Sequence, residues 1–166
     1  ALAVTSRREI ARVVPIVEKL SAKLKIPISV DTTKARVAEK SLEAGAEIIN
    51  DISALNGDKK MASVISKASA ALILMHMRGR PADMQAGDLS YQDLMQEIID
   101  FLKARYHKAV AAGIGGNRIV VDPGIGFGKT YADNCKIINK LEELQTLGMP
   151  LLIGTSRKAF IGNITG

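Results

Sequence analysis

The sequence predicts an α/β fold: a partial TIM-type (β/α)8 barrel with about five parallel strands and flanking helices. Three observations predict it. Helical patterns alternate with short runs rich in Ile, Val and Leu along the whole chain. Strands separated by helices pair in parallel, because parallel neighbours need crossover connections. Each readable strand also closes on polar residues: Asp31, the pair Asn50 and Asp51, His76, Asp122 and Ser156. That end of the strands carries the chemistry in a (β/α)8 barrel, whereas an open doubly wound sheet concentrates its ligands at one switch point.

Each element has its own justification. Residues 6–24 carry Ile10, Val13, Val14, Val17 and Leu20 at helical spacing, with Ser6 as the expected N-cap. A strand at 26–30 ends at Asp31, and a helix at 34–44 stops at Gly45, a natural C-terminal cap. The next strand, 46–49, ends in Asn50 and Asp51; a helix at 61–67 leads to a strand at 71–75 that ends at His76. After a polar loop, an amphipathic helix covers 91–112 and is ended by Gly113, Gly115 and Gly116. A strand at 119–121 closes on Asp122. A helix at 134–147 precedes the fifth strand, 150–153, and a short helix begins near Ser156.

A complete barrel of this kind takes about 250 residues, and this chain has 166. The expectation is a single barrel domain over residues 1–166 that lacks the first strands and the C-terminal end of the full barrel. The longest apolar run, ending at Met75, is far shorter than the roughly 20 residues of a spanning helix. A single cysteine, Cys135, forms no internal disulfide, and no charged-then-apolar leader opens the chain, so a cytoplasmic location is expected. The net charge of +6 does not point to nucleic acid: basic residues are scattered among acids, and aromatic residues available for stacking are only 4%. A protein handling small anionic substrates fits the charge equally well.

The segment Asp122-Pro-Gly-Ile-Gly-Phe-Gly-Lys-Thr130 is the strongest motif. It is not a P-loop, because Pro123 stands where G-x-x-x-x-G-K-[ST] needs its first glycine. What remains is a strand-end carboxylate followed by a loop whose glycines allow close backbone approach, with Phe127 available to cover a flat ring. Asp31 follows the next strand-end pattern; capping of the following helix, by Asp31 or by Thr32, is an equal alternative. Asn50 and Asp51 share that ambiguity. Together, Asp31, Asn50 and Asp122 converge on one opening, where carboxylates accept hydrogen bonds from an amino-pyrimidinone edge and an amide both donates and accepts. That chemistry suits a pterin or purine-like ring. His76 reads as a hydrogen-bonded structural residue, since no second His stands at ligand spacing and His107 lies within a helix pattern. No metal ligand is assigned. Gly154-Thr-Ser-Arg-Lys158 brings two cations and two hydroxyls beside a helix start, which favours an anion; a capped helix with solvated charges is the plainer reading.

Taken together, these motifs resemble the dihydropteroate synthase family. Ser29-Val-Asp-Thr, Gly45-Ala-Glu-Ile-Ile-Asn-Asp51, Met75-His-Met with Met84-Gln85, the Asp122 segment and Gly154-Thr-Ser-Arg-Lys158 follow in the family's order and span essentially the whole chain. The resemblance implies a pterin-binding barrel in which Asp31, Asn50, Asp122 and Lys158 contact the pterin and Met75 and Gly154 line its pocket. Gly126 and Phe127 match the surface near p-aminobenzoate. Ser156 and Arg157 match the neighbourhood of its carboxylate and of sulfonamide inhibitors. The implied reaction joins 6-hydroxymethyl-7,8-dihydropterin pyrophosphate to p-aminobenzoate, giving 7,8-dihydropteroate and pyrophosphate. Asp31, Asp122 and Lys158 carry it, with Mg2+ on the leaving group and no covalent enzyme intermediate. The family's metal-associated Asn on the first strand, its mobile Thr-Arg loop and its C-terminal Arg-x-His stretch have no counterpart in these residues, so this chain alone is expected to turn over slowly or not at all. The family commonly forms homodimers; no nucleic-acid or membrane partner is expected. Two rival readings stay open: the pterin-binding domain of a methyltetrahydrofolate methyltransferase, and a non-catalytic basic domain that binds nucleic acid or protein. The Phe127 loop and the Ser156-Arg157-Lys158 element favour the synthase over the first, and the strand-end carboxylates argue against the second.

Overall fold

The computed structural model describes residues 4–79, 84 and 89–165, with side chains through residue 162. Helix α1 (Ser6–Ser21) is followed by strand β1 (Ser29–Asp31), helix α2 (Ala35–Glu43), strand β2 (Ile48–Asp51), helix α3 (Met61–Lys67) and strand β3 (Ala71–Met75). Helix α4 (Leu94–Ala111), strand β4 (Ile119–Asp122), helix α5 (Tyr131–Asn139) and helix α6 (Ala159–Thr165) complete the order. The four strands form one sheet in the order β1-β2-β3-β4, all parallel. The order never reverses, as it must at the switch point of a doubly wound sheet.

Among the described residues, helices pack one face of this sheet. Val30, Ile49, Leu72, Leu74 and Ile119 join the core formed with α1, α2 and α3, and Val121 joins a second core with α4, α5 and α6. The alternate residues on the other face include exposed Ser29 and half-buried Ile48, Ala71 and Val120. A sequential parallel sheet with helices on one side is the wall of a (β/α)8 barrel, and the second face is its interior. The predicted partial barrel is thus the observed architecture.

Several boundaries differ from the sequence reading, each for a local reason. Thr5, not Ser6, caps α1, its side chain accepting from Arg8 N. Asp93 caps α4 by accepting from Gln96 N at 3.3 Å, so the helix starts three residues after Tyr91. The expected 134–147 helix is two elements. A Thr130–Asp133 capping box starts α5 at Tyr131, and the chain leaves α geometry at Lys140 for a 3-10 helix, Leu141–Leu147. With three residues per turn, Leu141, Leu144 and Leu147 fall on one side and pack into the second core. The fifth strand is reduced to a single parallel bridge, Val121 to Leu151, held by Val121 N to Pro150 O (3.0 Å) and Leu152 N to Val121 O (2.9 Å). Among the described residues no helix is long and apolar enough to cross a membrane.

Candidate functional site

Side chains alternate faces along a strand, so the register decides which strand-end groups reach the barrel interior. Asp31 lies beside Asn50, Asn50 beside Ile73, and Met75 beside Asp122. Asp31, Asn50, Met75 and Asp122 therefore share the interior face. Asp51 points the opposite way and is fully buried. Its Oδ1 accepts from Ser53 N (2.9 Å) and Ser53 Oγ (2.6 Å), and its Oδ2 from Leu55 N (2.9 Å). These bonds pin a turn in which Ala54 and Leu55 hold φ of 49° and 63°. Asp51 is a structural residue, and its neighbour Asn50 is the one at the site.

Capping does not occupy Asp31. The first N–H of α2, on Ala35, is taken by Asp58 Oδ2 at 2.9 Å from across the β2–α3 loop, while Thr32 Oγ1 accepts from Lys34 N at 3.2 Å. Asp31 instead accepts from Asn50 Nδ2. That bond fixes the orientation of the Asn50 amide and leaves its Oδ1 buried with no protein partner among the described residues. An orphaned buried acceptor costs on the order of 1–3 kcal/mol unless something donates to it. Asp122 is 6% exposed, and its Oδ1 accepts from Gly124 N at 2.7 Å. Burial pushes its carboxyl above the usual range, assisted by the charge of Asp31 and opposed by the Gly124 N–H and by the ammoniums of Lys129 and Lys158. The strand ends thus present a row of acceptors: Asp31, Asn50 Oδ1 and Asp122.

The loop after β4 is built by close backbone approach. Gly124 (φ 70°) sits so near the β3–α4 loop that a Cβ would fall 1.9 Å from His76 O, and a Cβ on Gly128 (φ 63°) would fall 2.4 Å from Arg78 O. Asn134 braces the loop from α5: its Oδ1 accepts from Gly126 N at 2.7 Å and its Nδ2 donates to Thr130 O at 2.7 Å. Tyr91 Oη donates to Gly128 O at 2.7 Å. So supported, Phe127 meets Lys158, whose Nζ lies 4.3 Å from the ring centroid. A cavity of about 430 Å³ opens beside them, lined by Gly126, Lys129, Tyr131, Asn134, Lys158 and Phe160. A larger hollow of about 560 Å³ lies over the loops after β2 and β3, between Ile52, Asn56, Met77 and Phe101; no strand-end carboxylate lines it. The acceptor row, and not the larger hollow, marks the site.

His76 is structural, as its sequence context suggests. It is 5% exposed, packs edge-on against Phe101 at 5.0 Å, and its Nδ1 lies 2.9 Å from Lys129 Nζ. Burial, then the charges of Lys129 and Arg78, hold its value down to about 3, so it is neutral. Gly154, Ser156 and Arg157 are exposed in the segment before α6, and the structure does not bring them into contact with the acceptor row. Met84 is half-buried at the rim of the smaller cavity, and Gln85 lies outside the described residues. Lys129 and Asn134 are the two site residues that the sequence reading missed. Lys129 stands inside the quoted motif but draws notice only as a failed P-loop lysine; its burial is visible only in three dimensions.

Comparison with known proteins places the chain in a family. A family model described as "Pterin binding enzyme" matches residues 1–166. A dihydropteroate synthase of Clostridium beijerinckii is 45% identical over 159 residues, covering 96% of this chain and 56% of that protein. One of Bacillus subtilis is 44% identical over 161 residues, covering 97% of this chain and 54% of its own. The Yersinia pestis dihydropteroate synthase, solved as a complex with a sulfonamide drug, superposes with a TM-score of 0.94 at 41% identity, covering 98% of this chain and 58% of that one. The Xanthomonas albilineans synthase in complex with 7,8-dihydropteroate gives 0.89 at 39% identity, covering 98% and 58%. The chain spans a little over half the length of the curated relatives it matches.

Proposed function

The chain belongs to the pterin-binding enzyme family, and from that premise we propose that it forms the pterin-binding part of a dihydropteroate synthase, a transferase of folate biosynthesis. The substrates are 6-hydroxymethyl-7,8-dihydropterin pyrophosphate and p-aminobenzoate, and the products 7,8-dihydropteroate and pyrophosphate. One observation carries the reading: the interior strand ends offer a row of acceptors to a ligand, including Asn50 Oδ1 between Asp31 and Asp122, which has no partner among the described residues. An amino-pyrimidinone ring presents N–H donors along one edge, and this row receives them. Met75 lies beneath the ring, and the stacked Phe127–Lys158 pair lies beside it.

In the proposed reaction the exocyclic C–O bond breaks and its electron pair leaves with pyrophosphate. The amine nitrogen of p-aminobenzoate forms the new C–N bond and gives up a proton. Positive charge that develops on the pterin is shared with the ring, whose N–H groups become better donors. The hydrogen bonds to Asp31 and Asp122 strengthen in that state, which lowers the barrier by electrostatic preorganisation. Lys158 orients the ring and the p-aminobenzoate side through Phe127. In this reading Ser156 and Arg157, both exposed, receive the p-aminobenzoate carboxylate or a sulfonamide, and Gly154 lines the entrance. Mg2+ also belongs to the proposal. The described residues, however, contain no group of three or more His, Cys, Asp or Glu placed to hold a metal, so no step is routed through it. A cytoplasmic location and a homodimer complete the proposal.

The test is dihydropteroate formation by the full-length protein from the two substrates with Mg2+, alongside pterin binding measured by calorimetry. Product formation with pterin binding is expected. A folded full-length protein that neither forms dihydropteroate nor binds a pterin overturns the reading. Binding of methyltetrahydrofolate without p-aminobenzoate would assign the chain to methyl transfer instead.

A further inference from the structure

We propose that Lys129 is the positioning residue of this site: its buried amine ties the loop after β4 to the loop after β3 and, as the ammonium, supplies a positive charge against which Asp122 is held as a carboxylate. The inference rests on the reading of Asp122 as the group that receives the pterin.

The side chain is 2% exposed, a burial that lysine tolerates only when its charge is matched and its donors are used. Its donors are all used, and Asp122 and Asp133 favour the charged form. An ammonium has three N–H donors, and three acceptors surround this one: His76 Nδ1 at 2.9 Å, Phe127 O at 3.0 Å and His76 O at 3.4 Å. Donation to Nδ1 requires His76 neutral with its proton on Nε2; burial enforces the neutrality, and the ammonium selects that tautomer. His76 N in turn donates to Asp122 O at 2.8 Å, so the lysine, the histidine and the catalytic strand end form one connected unit. The contact with Phe127 O also links Lys129 to the residue whose ring meets Lys158.

The charged groups that face Lys129 come from three elements: Asp122 at the end of β4, Asp133 in α5 and Lys158 before α6, with neutral His76 from the loop after β3 and Arg78 acting on that histidine. Burial, with the repulsion of Lys158, lowers the ammonium's value to about 7, while Asp122 and Asp133 resist. Lys129 is therefore charged throughout the acid range in which Asp122 takes up its proton. Its charge there lowers the pH at which Asp122 becomes neutral and stops accepting from the ring. A lysine that served only to fill and brace the loop would have no such effect on the titration.

The experiment compares pterin binding by calorimetry from pH 4.5 to 8 in the full-length wild type, Lys129→Met and Lys129→Arg, with thermal melts in parallel. For Lys129→Met the proposal expects an affinity loss of at least about tenfold at about pH 6, where the wild-type lysine is charged, and an acid limb of binding moved to higher pH. Lys129→Arg keeps the charge and is expected to keep the limb where it is in wild type. Lys129→Gln keeps two N–H donors on a stem one atom shorter, without the charge, and repeats the test if the Met variant does not fold. A folded neutral variant whose affinity and acid limb match the wild type overturns the proposal. A lowered melting temperature with an unmoved limb also overturns it, since that is the signature of bracing alone. A wild-type protein that binds no pterin overturns the functional reading first, and this inference falls with it.

Discussion

Acidification should destabilise this protein well above the carboxylate range, and His76 is the cause. In the folded chain its imidazole is held neutral, with a value near 3; in the unfolded chain it titrates at the ordinary 6.5 or so. The folded value is lowered, so the unfolded state binds the extra proton between those limits, and stability falls with pH from about 6.5 towards 3. Between pH 7.5 and 5.5 this one group removes about 1.4 kcal/mol, and each further unit down to about 3 removes about as much again. Lys129 adds a smaller loss of the same sign, about 0.8 kcal/mol, because its folded value near 7 lies below the unfolded 10.5 and the buried ammonium must form as pH falls. Asp122 works in the opposite direction, since burial raises its value. The variant that isolates His76 is His76→Asn, whose side-chain oxygen reaches the place of Nδ1 and keeps an acceptor for Lys129. Urea denaturation at pH 7.5, 6.5 and 5.5 should show the wild type losing about 1.4 kcal/mol more than the variant over this interval. Parallel losses in the two proteins, or an NMR titration of His76 near 6.5, would refute the reasoning.

Three further outcomes follow from the site. Asp122→Asn keeps an oxygen for Gly124 N but removes the charge, so pterin affinity measured by calorimetry should fall roughly 10- to 100-fold with the fold intact; unchanged affinity would remove Asp122 from the site. Asp51→Ala breaks three buried bonds to Ser53 and Leu55 and should cost about 3 kcal/mol or more in urea denaturation, whereas Asp31→Ala should cost little stability and weaken pterin binding. Equal destabilisation by the two substitutions would contradict the assignment of opposite faces. Gly128→Ala forces a Cβ to 2.4 Å from Arg78 O at a φ of 63° and should lower stability by at least about 2 kcal/mol; a melting temperature equal to wild type would mean that the two loops are not clasped as described.

How much of this was legible in the sequence varies with the range of the interaction. The order of helices and strands, and the bounds of α3 and β3, follow from periodicity within one element. The 134–147 helix fails because Leu141, Leu144 and Leu147 suit either periodicity over seven residues, and the core selects the three-residue turn. The capping alternative for Asp31 was open because caps are normally sought just before a helix. Asp58, 23 residues beyond Ala35, takes the position instead, and only the fold brings it there. Lys129 is the extreme case. A Lys between Gly128 and Thr130 in a glycine-rich loop reads as solvated, and nothing local shows that His76, 53 residues away, closes over it.

The Asn50–Asp51 pair shows where elementary geometry already contained more than composition did. Both residues are short and polar at one strand end, and as residue types they are interchangeable candidates. Their positions differ by one, and one residue along a strand is a change of face. Ile49 and Val30 lie in the helix-side core, so Asn50 and Asp31 lie on the interior face and Asp51 does not. Parity along β4 makes the same division: Val121 is core and Asp122 is interior. The interior carboxylates can then remain short of protein partners, because the buried bonds needed for stability are supplied from the other face by Asp51. The opposing charge reaches the acceptor row from the loops, through Lys129 and Lys158, and not from the strands. In the proposed reading, a ring seated on the row meets acceptors along its donor edge, with the cations set to the side.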